Sequence, residues 1–344
     1  MPGAFASNRR MIPASIGAAQ PEGWQAEWRA ALTDPGELLA VLGLEYLADR
    51  VIHPGREAFP MRVPLPFVAR MRHGDPHDPL LRQVLPLDDE LRPMRGFVDD
   101  AVGDLAARDA PGVIRKYHGR ALLITTGSCA VNCRYCFRRH FPYAEETAAA
   151  GRWREAIAWV QAHPDVSEVI LSGGDPFSLA TTRLIELTGA LAAIPHVRRL
   201  RIHTRLPIVL PNRVDPALVD WLGQLPWPVV VVIHANHANE FDPEVDAALV
   251  RLRAAGVTLL NQSVLLSGVN DSVDALVTLS ERMFAAGVLP YYLHVLDPVR
   301  GAAHFDVPDG TARRLMAGLR ERLPGFLVPR LVREIPGAGS KTPV

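Results

Sequence analysis

The chain has 344 residues, of which 48% are hydrophobic and 22% charged, enough apolar side chain for one large folded unit plus an accessory region. Lysine plus arginine equals aspartate plus glutamate at 37 each, so no global field draws the chain to nucleic acid or to an anionic membrane. No apolar run approaches the roughly 20 residues that span a bilayer, and the first twenty residues lack the apolar block of a secretory signal, which predicts a cytoplasmic protein.

Residues 1–20 contain Arg9 and Arg10 and no acid; they read as a disordered leader, with a transit peptide as the competing reading. Residues 21–110 are rich in proline, hold one helix-like stretch over 24–40 and show no strand–helix alternation, which predicts a mainly helical N-terminal accessory region. From 111 to 325 the pattern changes. Short apolar, β-branched runs at 121–125, 169–172, 200–203, 229–234, 258–266 and 291–296 are each followed by a helical period, at 153–162, 181–194, 216–222, 244–255, 273–286 and 311–323. Strict alternation implies parallel strands with the helices outside, because each right-handed crossover returns the chain to the same end of the sheet. The expected fold is α/β, a partial (β/α)6 barrel, with 326–344 as a separate C-terminal segment.

In such barrels the chemistry sits at the C-terminal strand ends. Polar residues gather there in 172–175, 203–205 and 234–240, and at Gln262 and Asp297. The bland alternative is that polar residues simply mark loops.

The three cysteines all lie in Cys129-Ala-Val-Asn-Cys133-Arg-Tyr-Cys136, directly after the first expected strand. An odd, tight set argues for a metal centre rather than a disulfide framework. A 4Fe-4S cluster held by three thiolates keeps one iron open for a small molecule, whereas zinc would want a fourth donor such as His140. The C-x-x-x-C-x-x-C spacing after a barrel strand resembles the radical S-adenosylmethionine superfamily, in which the open iron chelates that cofactor. Ser172-Gly173-Gly174-Asp175-Pro176 ends the second strand, where the glycines would let backbone approach the cofactor's methionyl part; alone, a Gly-Gly pair is a turn.

Taken by itself, Lys341 in the ending Gly339-Ser340-Lys341-Thr342-Pro343-Val344 is a solvated tail residue. Together with Phe137-Arg138-Arg139-His140-Phe141, the Ser-Gly-Gly-Asp-Pro turn, 260–266 and 291–297, it resembles the lysine 2,3-aminomutase family over roughly 80–344. The resemblance implies that Lys341 forms the Schiff base with pyridoxal 5′-phosphate, with glycines letting it swing away. It places the cofactor phosphate on Arg120, with Lys116 where a second arginine is usual, Tyr117 beside it, and His294 in place of a tyrosine near the ring. It implies that Arg138 pairs with the substrate carboxylate, that Asp297 and Glu334 hold the distal ammonium of lysine, Glu334 replacing an aspartate, and that Ser172, Gly173, Gly174, Asp175, His234 and Gln262 contact S-adenosylmethionine. Bland readings are a basic strand edge for Lys116 and Arg120, a surface ion pair for the two acids and a core histidine for His294.

The stretches 134–143 and 291–297, and an ending at Val344 where free-standing members extend further, resemble the branch that serves elongation factor P. This implies conversion of L-α-lysine to (R)-β-lysine, which a separate ligase attaches to elongation factor P, with a reductant protein such as flavodoxin as electron donor. Two other classes compete: a different radical S-adenosylmethionine enzyme (methyltransferase or activase) without pyridoxal phosphate, and a non-catalytic zinc-clip module docking elongation factor P.

Overall fold

The computed structural model describes residues 23–52, 59–146 and 153–344, so the leader 1–20 lies outside the described residues. The β-branched runs form strands because their alternate side chains have apolar partners on the helices. Val169, Leu171, Leu200, Ile202, Val229, Val231 and Leu259 share one core with Leu187, Trp221, Leu249 and Met283 from the helices. The sheet order is β1-β2-β3-β4-β5-β6-β7-β8-β9-β10, with β1 Arg108–Ala110, β2 Val113–Ile114, β3 Arg120–Thr126, β4 Glu168–Gly173, β5 Arg199–Thr204, β6 Val229–Ile233, β7 Thr258–Val264, β8 Leu289–His294, β9 Arg330–Arg333 and β10 Thr342–Pro343. Strands β3 to β9 are parallel, flanked by antiparallel β2 at one edge and β10 at the other.

Helices Trp153–Ala162, Thr181–Ala192, Pro216–Gly223, Pro243–Ala254, Val273–Ala285 and Asp309–Arg322 alternate with these strands, within two residues of the sequence reading. Several begin where a side chain satisfies a free backbone N–H: Asp215, Asp242 and Ser272 accept from the third residue beyond, with proline at the first helical position in two cases. The stretch 24–40 is not one helix. Asp34 caps a new helix, Pro35–Leu42, with Pro35 at its first position, and ends the continuity of Trp24–Arg29.

Two boundaries also shift. The sheet passes residue 325, adding β9 as a seventh parallel strand and β10 behind it, and β1 begins inside the accessory region. The accessory region has no core of its own: Trp24, Leu38, Leu39, Phe67 and Leu80 belong to the same cluster as the barrel strands.

Six strand-to-strand steps separate β3 from β9, about 29 Å in a flat sheet. Yet Tyr117, three residues before β3, donates its hydroxyl proton to Glu334, just after β9, at 2.7 Å. The sheet is therefore curled until its ends meet, and the strand faces turned from the helices line a lumen. That lining is mixed, with polar side chains beside Ile124, Ile170 and Val232. Alternation puts Arg201, His203, Gln262, Tyr292 and His294 on it.

Candidate active site

The cysteine loop follows β3, and its three half-buried cysteines are free thiols. Its three arginines are each held by an acid of the accessory region. Arg134 makes a two-pronged pair with Glu90 at 2.6 Å for each contact, Arg139 shares the same carboxylate, and Arg138 donates Nε–H to Asp104 at 2.6 Å. The accessory region, in which sequence reading singled out no site residue, thus fixes the shape of the cysteine loop.

The donor set fits a cluster. Among the described residues, no three His, Cys, Asp or Glu side chains converge where a single ion would sit, while a cubane takes its thiolates on separate irons. His140, the candidate fourth zinc donor, turns instead to the Arg300 carbonyl at 3.1 Å. Burial pushes the Cys129 thiol up, and burial with the neighbouring Cys133 pushes Cys136 up to about 11, so a metal taken up at these sulfurs would displace protons.

Gly174 N–H donates to the Thr126 carbonyl at 2.7 Å and Asp175 N–H to the Ser128 carbonyl at 2.8 Å, seating the end of β4 against the start of the cysteine loop. A Cβ on Gly174 would stand 2.5 Å from the Ser128 carbonyl oxygen, and one on Gly173, at φ +112°, 2.7 Å from that of Thr126. These amides are therefore taken up by the loop, and the Gly173 carbonyl accepts from the Tyr143 hydroxyl. The Asp175 carboxylate is likewise occupied, accepting from Phe177 N–H, the Thr204 hydroxyl, Arg205 N–H and Leu206 N–H. Burial raises its pKa to about 6 against the pull of those donors. It locks the ends of β4 and β5 together and has no free oxygen lone pair facing a cofactor on this account.

Deeper in the lumen, Gln262 donates to His234 Nε2 at 2.9 Å, which puts the ring proton on Nδ1. Burial, with Arg205 and Arg138 nearby, lowers the His234 pKa to about 3. The His203 ring lies 6.1 Å from that of His234. Nε2 of His203 and Nε2 of His294 are buried without a partner among the described residues, and burial holds both rings neutral. Orphaned polar atoms facing the lumen are what a site for polar organic cofactors requires. His203 was not singled out from sequence; its only signal was its place at a strand end.

The C-terminal segment crosses the mouth. Lys341 Nζ donates to Glu334 Oε2 at 2.6 Å and stands 6.0 Å above the Tyr292 ring centre. The other Glu334 oxygen accepts from Tyr117 and, at 3.4 Å, from Lys116. Burial works against the Glu334 charge, yet Lys341, Tyr117 and Lys116 together hold it below the ordinary glutamate value. Lys116 Nζ has its remaining donors on Asp104 at 2.6 Å and on the Val102 carbonyl at 2.8 Å. Lys116 and Tyr117, expected to hold the cofactor phosphate, donate here to Asp104, Glu334 and the Val102 carbonyl. Arg120 fits that task, since its guanidinium stacks 5.0 Å over the Tyr117 ring and no acid pairs with it among the described residues.

Arg138 also donates Nη1–H to Ser172 Oγ at 3.1 Å, and Nη2 has no hydrogen-bond partner among the described residues. Asp297, after β8, makes no side-chain hydrogen bond among the described residues. Burial pushes its pKa up to about 7, opposed by Lys341 and reinforced by Glu334. Glu334, in contrast, is already paired. Asp104, which joins Lys116 to Arg138, was likewise not singled out from sequence, and nothing in its local sequence distinguishes it.

No family model matches the chain. The chain is 50% identical to the L-lysine 2,3-aminomutase of Escherichia coli strain K12 over 326 residues, 94% of each chain. It is 42% identical to that of Haemophilus influenzae, covering 97% of this chain and 98% of the relative, and 37% identical to that of Clostridium subterminale, covering 79% and 65%. Among solved structures, a radical SAM methyltransferase from Sphaerobacter thermophilus aligns with a TM-score of 0.44 and 22% identity over 64% of this chain and 68% of that one. With half of its aligned residues shared over nearly the full length of a relative, the chain belongs to the lysine 2,3-aminomutase family of radical S-adenosylmethionine enzymes.

Proposed function

We propose that the chain converts L-α-lysine to (R)-β-lysine with a 4Fe-4S cluster, S-adenosylmethionine and pyridoxal 5′-phosphate, in the cytoplasm, and that the product modifies elongation factor P. One observation carries the reading. An unbroken line of ion pairs, Lys341–Glu334–Lys116–Asp104–Arg138, runs from the candidate pyridoxal lysine to an arginine two residues past Cys136. That line supports the reading in which both candidate cofactor sites open on one lumen.

When bound, the cluster and S-adenosylmethionine would supply a hydrogen-abstracting radical, and pyridoxal phosphate a π system across which nitrogen can migrate. The chain's own residues bind and orient. Arg138, fixed by Asp104 and Ser172, offers Nη2 to the substrate α-carboxylate. Asp297 takes the distal ammonium, an ion that stabilises its carboxylate against burial. Glu334 holds the Lys341 ammonium, and Gly337, at φ +79°, and Gly339 give the segment freedom to withdraw it. Arg120 receives the phosphate, while the His234–Gln262 pair and Ser172 face S-adenosylmethionine. Orientation of carboxylate and ammonium at opposite ends presents the β carbon.

The link to elongation factor P, its ligase and a flavodoxin-like reductant rests on the resemblance over 134–143 and 291–297. The cofactor half of the proposal is tested by adding pyridoxal phosphate, reducing with borohydride and locating the label by mass spectrometry. A label on Lys341, with visible absorbance lost in Lys341→Ala, supports it. A label elsewhere, or absorbance unchanged in that variant, overturns it.

A further inference from the structure

Arg205 follows β5 directly, and its guanidinium is buried with 7% of its side chain exposed. Nη2 donates to Gln83 Oε1 at 2.7 Å and to Glu240 Oε2 at 3.0 Å. Nη1 donates to the Tyr135 hydroxyl and to Cys133 Sγ, each at 2.7 Å. Nε, equally buried, has no partner among the described residues.

The acceptors are themselves fixed. Glu240 Oε1 accepts from Asn236 N–H, His237 N–H and Gln83 Nε2, and the Tyr135 hydroxyl accepts from Asn236 Nδ2 at 2.7 Å. Gln83 comes from the accessory region, Tyr135 from the cysteine loop, and Asn236 and Glu240 from the segment after β6. A guanidinium held from three directions cannot rotate away from the sulfur. A core arginine needing only charge balance would be satisfied by Glu240.

We infer that Arg205 tunes the reduction potential of the cluster through a charge-assisted N–H bond to Cys133, and that Glu240 sets how much of its positive charge the cluster experiences. The inference rests on the reading of Cys129, Cys133 and Cys136 as cluster ligands. Reduction transfers one electron from a low-potential donor to the cluster, with no bond made or broken. The added negative charge is shared by the thiolates, and a donor N–H on one of them favours the reduced state. Arg205 thus makes the cluster easier to reduce, and neutralising Glu240 strengthens the same effect. Arg205 is a tuning residue and touches no substrate.

The test uses the full chain, reconstituted anaerobically with iron and sulfide and titrated with dithionite and mediators while the reduced cluster is followed by electron paramagnetic resonance. Arg205→Met lowers the reduction equilibrium constant tenfold or more, about 59 mV for one electron. Arg205→Lys recovers part of that shift, and Glu240→Gln moves the potential the opposite way. Opposite signs are not produced by loosening of the core. Equal potentials in wild type, Arg205→Lys and Glu240→Gln, or shifts of one sign in both variants, overturn the inference even where Arg205→Met does not fold. A wild-type chain that assembles no cluster overturns the reading beneath it, an outcome distinct from a cluster whose potential ignores Arg205.

Discussion

Replacing Asp104 by asparagine removes one negative charge from between two buried cations. Its carboxylate accepts from Lys116 and Arg138 at 2.6 Å each, and burial, which alone would raise its pKa, is outweighed by those two, leaving it below the ordinary value. Side-chain exposures of 3%, 8% and 16% for Asp104, Arg138 and Lys116 mean that solvent screening does not discount the pair much. Breaking one partner of a buried pair costs about 3–5 kcal/mol. The lower end applies, since Lys116 keeps Glu334 and the Val102 carbonyl, and Arg138 keeps Ser172. We therefore expect a loss of about 3 kcal/mol, measured by thermal and denaturant unfolding of Asp104→Asn, Arg138→Met and the double variant. The cycle should return a coupling of about 2 kcal/mol, well above the roughly 0.5 kcal/mol of independent sites. The sign with pH follows from the lowered pKa: this stability is present above the unfolded carboxylate pKa near ~3.9 and is lost as pH falls through the folded value. Additive single variants, or a loss below about 1 kcal/mol, would refute the reasoning.

Gly174→Ala places a Cβ 2.5 Å from the Ser128 carbonyl oxygen and 2.8 Å from Gly127 C and Ser128 N, all backbone of the cysteine loop. Overpacking of about 1–3 kcal/mol should appear as reduced iron retention after desalting, whereas Gly189→Ala, whose Cβ meets nothing within 4 Å, should retain iron fully. Asp297 titrates near 7 because burial raises it. Lysine affinity should therefore fall as pH drops below about 7, and Asp297→Asn should flatten that dependence, as read from the lysine-induced change in visible absorbance. As a carboxyl whose pKa is raised on folding, Asp297 also contributes stability at low pH that diminishes as pH climbs through 7.

The barrel was legible because its strands are β-branched runs whose outward residues pair with helical periods; Val229–Ile233 could be little else. Arg330–Arg333 was not, since two arginines flank only Leu331 and Val332, and Thr342–Pro343 is too short to carry a period. The candidate cysteine loop was legible because its three cysteines are close together in the sequence. Asp104 was not, because its partners lie 12 and 34 positions away, and the pairing of Lys341 with Glu334 rather than with solvent depends on a tail folding back onto β9. The family resemblance, not its residue type, placed Lys116 on the cofactor phosphate. Its surroundings gave its three N–H groups to Asp104, Glu334 and a carbonyl.

The most direct measurement is anaerobic turnover of L-lysine by the chain reconstituted with iron, sulfide and pyridoxal phosphate, given reductant and S-adenosylmethionine, with α- and β-lysine resolved by chiral chromatography. The account predicts (R)-β-lysine in the wild type and none in Cys133→Ala or Lys341→Ala. Lysine recovered unchanged from a chain that carries both the cluster and pyridoxal phosphate would contradict it.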